Sequence, residues 1–115
     1  MSHPIQALDD VVHQRNRLGI LAVAQEASKV EFGFLKETLG LTDGNLSRHL
    51  QVLEDAGYVV VVKGYKGRRP RTWVRITRTG RGALAREVAV LRDLLDGLDV
   101  GRSSRPKSMT DVQGP

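Results

Sequence analysis

Apolar residues recur at intervals of three and four along most of this chain, which is the spacing of one face of an α-helix. The first such stripe predicts a helix over residues 8–27, with a break into two pieces at Arg15-Asn16 left open as an alternative. The second stripe predicts a short helix over 31–39, and the third predicts a helix over 43–56. Gly40 and Gly57 directly follow the second and third helices, and glycine suits the left-handed conformation that commonly ends a helix. The tight connection at Gly40 makes helices 31–39 and 43–56 a helix-turn-helix unit.

The pattern changes after Gly57. Residues 58–63 are rich in valine, residues 64–70 are rich in turn-forming side chains, and residues 72–77 read as a second strand, so a β-hairpin is predicted. A last helix is predicted to begin at Thr77, end by Asp96 and carry an apolar stripe at heptad spacing.

These elements predict a mainly α fold with a small β-hairpin. We expect an N-terminal arm over residues 1–7, a compact domain over 8–77 and a C-terminal helix over 78–97. Residues 99–115 contain Gly, Pro and Ser and almost nothing apolar, so we expect a disordered tail over 98–115.

Charge is distributed unevenly along the chain. The formal net charge is +5, yet nine basic residues and no acidic residue lie between Asp55 and Glu87, and the rest of the chain is mildly acidic. The tip of the predicted hairpin, Lys66 to Arg71, reads KGRRPR. Such a local excess of positive charge favours a binding site for a polyanion such as nucleic acid over a merely solvated loop.

Several other classes of function are disfavoured. The chain has no cysteine, which excludes disulfides and thiolate metal sites. Its three histidines are scattered, and Asp9 with His13 is a weak pair, so we expect no metal site, no cofactor and no catalytic residues. We expect a cytoplasmic protein with no membrane partner, because no basic and apolar signal segment begins the sequence and no apolar run is long enough to span a bilayer.

The helix over 43–56 has the composition of a DNA-reading helix. The hydroxyl of Thr42 can cap its first turn. Its outward face is small or polar, so it fits the major groove, where Arg48 can contact guanine and Asn45 can contact adenine. From this helix we expect DNA contacts by Thr42, Gly44, Asn45, Ser47, Arg48 and His49. Two alternatives stay open: Arg48 pairs with Asp43 or Asp55, and His49 packs against the core.

The hairpin tip supplies the second set of expected contacts. Lys66, Arg68, Arg69 and Arg71 are expected to hold the phosphate backbone or to enter the minor groove. Pro70 holds its neighbour extended and keeps the arginines apart.

Two motifs carry a family resemblance. Ser47-Arg48-His49-Leu50-Gln51-Val52-Leu53 runs into Ala56-Gly57-Tyr58-Val59, and the KGYKGRRPRTWVRIT hairpin follows. The sequence resembles the small winged helix-turn-helix regulators related to the ArsR and MarR families, over roughly residues 8–95. The resemblance implies a homodimeric transcriptional regulator that binds double-stranded DNA, with helix 43–56 as recognition helix and residues 64–71 of the hairpin as wing. The chain departs from metal-sensing relatives, since its last helix lacks a His or Cys cluster.

The last helix is expected to form the dimer. Leu84, Val88, Leu91 and Leu95 make a stripe that would be costly to leave in water, although packing against the same chain is the alternative. A twofold dimer implies a pseudo-palindromic operator. An RNA-binding winged helix, a protein–protein adaptor and a regulator with an unidentified small-molecule effector near Trp73 stay open as alternatives. We expect Trp73 to fix the hairpin to the core.

Overall fold

Four α-helices and a three-stranded antiparallel sheet make up residues 3–98, the part of the chain that the computed structural model describes. In chain order the elements are a 3₁₀ turn (Pro4–Ala7), α1 (Arg15–Gln25), β1 (Val30–Glu31), α2 (Phe32–Leu39), α3 (Asp43–Asp55), β2 (Val59–Lys66), β3 (Arg69–Ile76) and α4 (Arg78–Leu98). The predicted mainly α fold with a β-hairpin is confirmed. The tail expected over 98–115 lies outside the described residues, apart from Leu98 at the end of α4.

Two compact units are found along the chain. One consists of residues 9–87, and the other includes residues 3–8 and 88–98. The core of the 9–87 unit is aliphatic, as the scarcity of aromatic residues requires. Its fully buried side chains include Ile20, Leu21, Leu35, Leu46, Leu53, Val59 and Val74.

The helix predicted over 8–27 is wrong at its start, because α1 begins only at Arg15. The Asp9 carboxylate accepts hydrogen bonds from the backbone N–H groups of Val11 at 2.8 Å and Val12 at 3.3 Å. Such local side-chain bonds compete with helical hydrogen bonding. Gln14 then caps α1 through its side-chain oxygen, which accepts from the first N–H groups of the helix. The apolar spacing was helical, but the local polar bonds fold residues 9–14 into turns.

The sheet has one strand more than the sequence indicated. Its order is β1-β3-β2, and the short β1 pairs Val30 with Val74 and Glu31 with Trp73. The predicted turn over 64–70 is also too long. The β2–β3 ladder continues to the pair Lys66–Arg69, which leaves a two-residue turn at the tip.

Trp73 lies on the opposite face of the sheet from the one expected. Val74 and Ile76 point into the core, at 0% and 5% exposure. Because side chains alternate along a strand, Trp73, which directly precedes Val74, faces outward. It is half-buried there, beneath the ammonium of Lys29, which lies 4.3 Å from the ring centroid. The expectation that Trp73 fixes the hairpin to the core is therefore wrong.

The start of α4 packs directly against the backbone that leaves α3. Thr77 joins them: its hydroxyl donates to the Gly57 carbonyl at 2.6 Å and accepts from the Gly80 N–H at 2.9 Å. Its own N–H donates to the Tyr58 carbonyl at 3.0 Å. Gly80 is buried at this contact, and a Cβ placed on it would overlap the Tyr58 carbonyl oxygen. Only a residue without a side chain allows so close an approach.

A buried carboxylate on α4 contacts polar groups of the turn before α1. Glu87, 1% exposed, accepts from the Asp9 N–H at 3.1 Å and lies 2.7 Å from His13 Nδ1. Asp9 in turn accepts from the Tyr58 hydroxyl at 2.6 Å. Burial raises the pKa of Asp9, but hydrogen bonds from the Tyr58 hydroxyl and the Val11 and Val12 N–H groups outweigh burial, so this pKa lies below its ordinary value.

We expect acidification to remove the stabilisation that Asp9 provides. Because the folded pKa is lower than the unfolded value of 3.8, the ionised carboxylate stabilises the fold fully above that value. The contribution is lost as the pH falls through the folded pKa. Denaturant unfolding at a series of pH values should show the wild type losing its advantage over Asp9→Asn below about pH 4. A difference in unfolding free energy that stays constant down to strong acid would contradict this assignment.

Candidate nucleic-acid interface

Helix α3 presents a polar face to solvent because its apolar face is fixed in the core. Leu46, Leu50 and Leu53 are buried. The expected contact residues Thr42, Gly44, Asn45, Ser47 and Arg48 are all exposed. The predicted cap is confirmed, since Thr42 Oγ1 accepts the Asn45 backbone N–H at 3.1 Å. The first turn of α3 is thus fixed while its side chains stay accessible.

Arg48 forms no ion pair with an acid among residues 3–98. Its Nη2 donates to Asn45 Oδ1 at 2.6 Å, one helical turn earlier. Asp43 instead lies 2.9 Å from Lys36 of α2, and Asp55 accepts from Gln51 at 2.8 Å. The positive charge of the Arg48 guanidinium is therefore not neutralised by these carboxylates. It lies beside the Asn45 amide on the solvent-facing side of α3.

His49 is turned toward α1. Arg17 Nη1 donates to its Nδ1 at 3.2 Å, and Asn16 Nδ2 lies 3.4 Å from its Nε2. Burial lowers the pKa of His49, and the positive charges of Arg17 and Arg48 lower it further. The imidazole is therefore kept neutral near pH 7 and ties the middle of α3 to the start of α1. Arg17 also donates to the Val11 carbonyl at 2.6 Å, which extends this link to the preceding turn.

The four expected wing residues differ in their surroundings. Arg68 and Arg69 are exposed, and their guanidinium groups make no hydrogen bond or ion pair with any residue between 3 and 98. Lys66 and Arg71 are both held by Glu31 of β1, each at 3.2 Å. Pro70 has no backbone N–H to donate to a neighbouring strand. This costs no hydrogen bond with β1, because β1 pairs only with residues 73 and 74 of β3.

The positive charge of the interface lies almost entirely in the hairpin. Helix α3 contains three acidic residues and one arginine, a balance of −2, whereas residues 59–76 contain six basic residues and no acid. Between α3 and the sheet lies an open cleft of about 530 Å³. Its lining includes Ser47, Gln51 and Glu54 of α3 and Lys63 and Thr72 of the hairpin.

The expected dimer stripe divides into a buried and an exposed part. Leu84 is 5% exposed and packs in the core of the 9–87 unit. Val88 and Leu91 are half-buried, and Leu95 is 67% exposed. Leu98, 65% exposed, follows on the same helix. Apolar surface on α4 is therefore available from Val88 onward.

Two other features bear on ligands. A groove of about 440 Å³ lies beside Trp73, with Lys29, Gly64 and Arg75 among its lining residues. Within residues 3–98, no three His, Cys, Asp or Glu side chains are grouped so as to hold a metal ion.

None of the helices in that range combines the length and the apolar character that crossing a bilayer requires.

Three residues with a clear place in this site were missed from the sequence. Glu31 holds the wing cations, Arg17 holds His49, and Lys36 joins the two helices of the helix-turn-helix. The Arg17–His49 and Lys66–Glu31 contacts span 32 and 35 residues of sequence. No local pattern marks such partners, because they depend on how the elements pack.

Comparison with known proteins agrees with this geometry. The family model of the winged helix DNA-binding domain matches residues 16–95. A transcriptional regulator homologue from Pyrococcus horikoshii OT3 superposes with a TM-score of 0.79 at 33% identity, over 84% of this chain and 98% of that one. An uncharacterized protein of Methanocaldococcus jannaschii is 45% identical over 67 residues, which are 58% of this chain and 73% of that protein.

The MarR resemblance is also supported at the level of fold. A MarR-family transcriptional regulator from Silicibacter pomeroyi superposes with a TM-score of 0.60 at 20% identity. The superposition covers 90% of this chain and 68% of that regulator.

Proposed function

This chain belongs to the family of winged helix DNA-binding domains, and from that premise we propose that it is a sequence-specific transcriptional regulator, a repressor that binds duplex DNA as a homodimer in the cytoplasm. One observation carries the proposal: a capped helix with an accessible polar face lies in the same unit as a hairpin with six basic residues and no acid. These two features support the proposal because specific recognition requires both base reading and phosphate binding.

In this proposal α3 enters the major groove. Asn45 and Arg48 reach base edges, while Thr42, Gly44 and Ser47 lie close to the backbone. His49 is neutral and faces α1, so its contribution is to hold the angle of α3 rather than to bind phosphate. The wing, with Arg68 and Arg69 at its tip, lies on the backbone or in the minor groove.

The homodimer is proposed to form through α4. Val88, Leu91 and Leu95 offer apolar surface that a second copy can cover, whereas Leu84 already serves the core of its own unit. Twofold symmetry then places two copies of α3 about 34 Å apart and requires a pseudo-palindromic operator. The groove beside Trp73 has room for a small-molecule effector of unidentified chemistry.

Selection of bound fragments from a random duplex pool tests this proposal. We expect enrichment of a pseudo-palindrome whose half-sites are separated by about one helical turn. Enrichment of a single asymmetric half-site would overturn the dimer, and no enrichment would overturn specific binding. Competition by structured RNA at matched salt separates the RNA-binding alternative. An adaptor would instead show partner binding that salt hardly affects.

Arg48→Ala is expected to cost about 1–3 kcal/mol on the selected operator, with relaxed specificity at one base pair. The reason is that the guanidinium lies on the accessible face of α3, where its one hydrogen bond within residues 3–98 is to the Asn45 amide oxygen. Binding free energies on the operator, on single-base variants and on random duplex provide the measurement. An equal loss on all of them would show that Arg48 holds only phosphate.

A further inference from the structure

Strand pairing places an acidic residue of β1, Glu31, beside the basic hairpin. It lies at the end of β1, and its side chain is 25% exposed. Oε1 is 3.2 Å from Lys66 Nζ, and Oε2 is 3.2 Å from Arg71 Nε. Each carboxylate oxygen thus pairs with one cation of the wing. Both cations are residues for which the sequence predicts phosphate contacts.

The register of the sheet explains why these three side chains meet. Glu31 pairs with Trp73, and Arg71 lies two residues before Trp73 on β3, so both side chains project from the same face. Gly64 stands opposite Arg71 and has no side chain on this face. Lys66, two residues along β2 from Gly64, shares the face and reaches the same carboxylate.

The carboxylate offers the two cations the same chemistry as a DNA phosphate. Both are anions with oxygen acceptors, and both form charge-assisted hydrogen bonds with lysine and arginine. With Glu31 present, the three groups sum to one positive charge; without it they sum to two. The ion pairs are partly exposed and therefore weak, so a phosphate can compete with the carboxylate for the cations.

We propose that Glu31 limits the affinity of the wing for the phosphate backbone by holding Lys66 and Arg71 in intramolecular ion pairs. This inference rests on the proposed function, because it assigns a role in binding duplex DNA. It divides the wing into two parts. Arg68 and Arg69 at the tip are free for DNA, and Lys66 and Arg71 at the base are held by Glu31.

Glu31→Gln tests the inference, because Gln keeps the size and the backbone preference of the side chain and removes only the charge. Binding to a labelled random-sequence duplex is measured by fluorescence anisotropy over a series of salt concentrations. We expect severalfold tighter binding at low salt. We also expect the dependence of log K on log salt to steepen by about 0.9, the value for one additional phosphate contact.

Glu26→Gln is the matched control. Glu26 is an exposed acid at the C-cap of α1, and its substitution makes the same change in net charge without touching the wing pairs. We expect it to change affinity and salt dependence far less than Glu31→Gln. Equal effects of the two substitutions would reduce Glu31 to a contributor to net charge and overturn the inference.

The same substitution in a Lys66→Gln, Arg71→Gln background completes the test. With both partners removed, Glu31→Gln should no longer strengthen binding, because no cation is left to release. A gain that persists, or weaker binding by Glu31→Gln in the wild-type background, overturns the inference alone. Absence of duplex binding by the wild-type chain overturns the DNA-binding proposal and this inference together.

Discussion

Replacing Arg68, Arg69 and Arg71 with Gln is expected to weaken binding to every duplex, specific or random, by roughly a hundredfold or more near 0.1 M salt. The slope of log K against log salt should flatten by about one unit for each phosphate contact that is lost. Arg68 and Arg69 should account for most of the loss, since their guanidinium groups are exposed and form no ion pair among the described residues, whereas Arg71 is paired with Glu31. Sequence preference should change little.

A matched control for the wing lies on α4. Arg78, Arg81 and Arg86 are exposed and belong to the same basic segment, so replacing all three with Gln removes the same charge away from the hairpin. Salt-dependent binding isotherms of the two triple variants, on operator and random duplex, separate position from net charge. Equal losses would show that total charge attracts the DNA, and an unchanged slope in the wing variant would remove the hairpin from the interface.

The charge distribution separates the tasks of the two parts of the interface. With a balance of −2, α3 adds no general attraction for a polyanion, and it carries side chains suited to base edges. In the proposed complex, the hairpin supplies the attraction and has few groups that distinguish one base pair from another. Affinity and specificity should therefore be separable by mutation. Substitution of Arg48 should change mainly the specificity, and substitution of the wing arginines should change mainly the affinity.

The parts that the sequence predicted well are those whose determinants are local. Helix α2 ends one residue before Gly40 and helix α3 ends two residues before Gly57, and these glycines adopt positive φ angles of 65° and 80°. The Thr42 cap needs only a hydroxyl three residues before the N–H that it accepts. The apolar stripe of α3 likewise indicated which face remains exposed, and with it the candidate DNA contacts.

The parts that the sequence did not predict depend on partners far along the chain. A two-residue strand such as β1 shows no alternation, and it exists because Val30 and Glu31 pair with β3. The turns before α1 combine the local bonds of the Asp9 carboxylate with a bond from the Asp9 N–H to Glu87, which lies 78 residues away in sequence. Sequence patterns describe only neighbouring residues. They therefore did not predict that Glu31 pairs with the cations at the base of the wing, or where α1 begins.

Gly80→Ala is the substitution expected to harm the fold most. A methyl group there would collide with the Tyr58 carbonyl, which is backbone, and would come within 3.0 Å of Ile76 Cγ1. Neither α4 nor the α3–β2 connection can retreat without loosening the Thr77 hydrogen bonds that join them. The gain of about 1 kcal/mol for alanine over glycine in a helix is therefore outweighed, and we expect a net loss of about 3 kcal/mol.

Gly82→Ala is the control that isolates this packing effect, because it lies in the same helix, two residues away. A Cβ at Gly82 would meet only the Arg86 guanidinium, at 3.4 Å, and that flexible side chain can move. Here the helix propensity of alanine should prevail, and stability should rise by up to about 1 kcal/mol. Thermal or denaturant unfolding of both variants provides the comparison, with a shift of about 4–8 °C expected for each kcal/mol. Similar melting temperatures for the two variants would show that α4 approaches Tyr58 less closely than described, and would remove Gly80 as the residue that sets this contact.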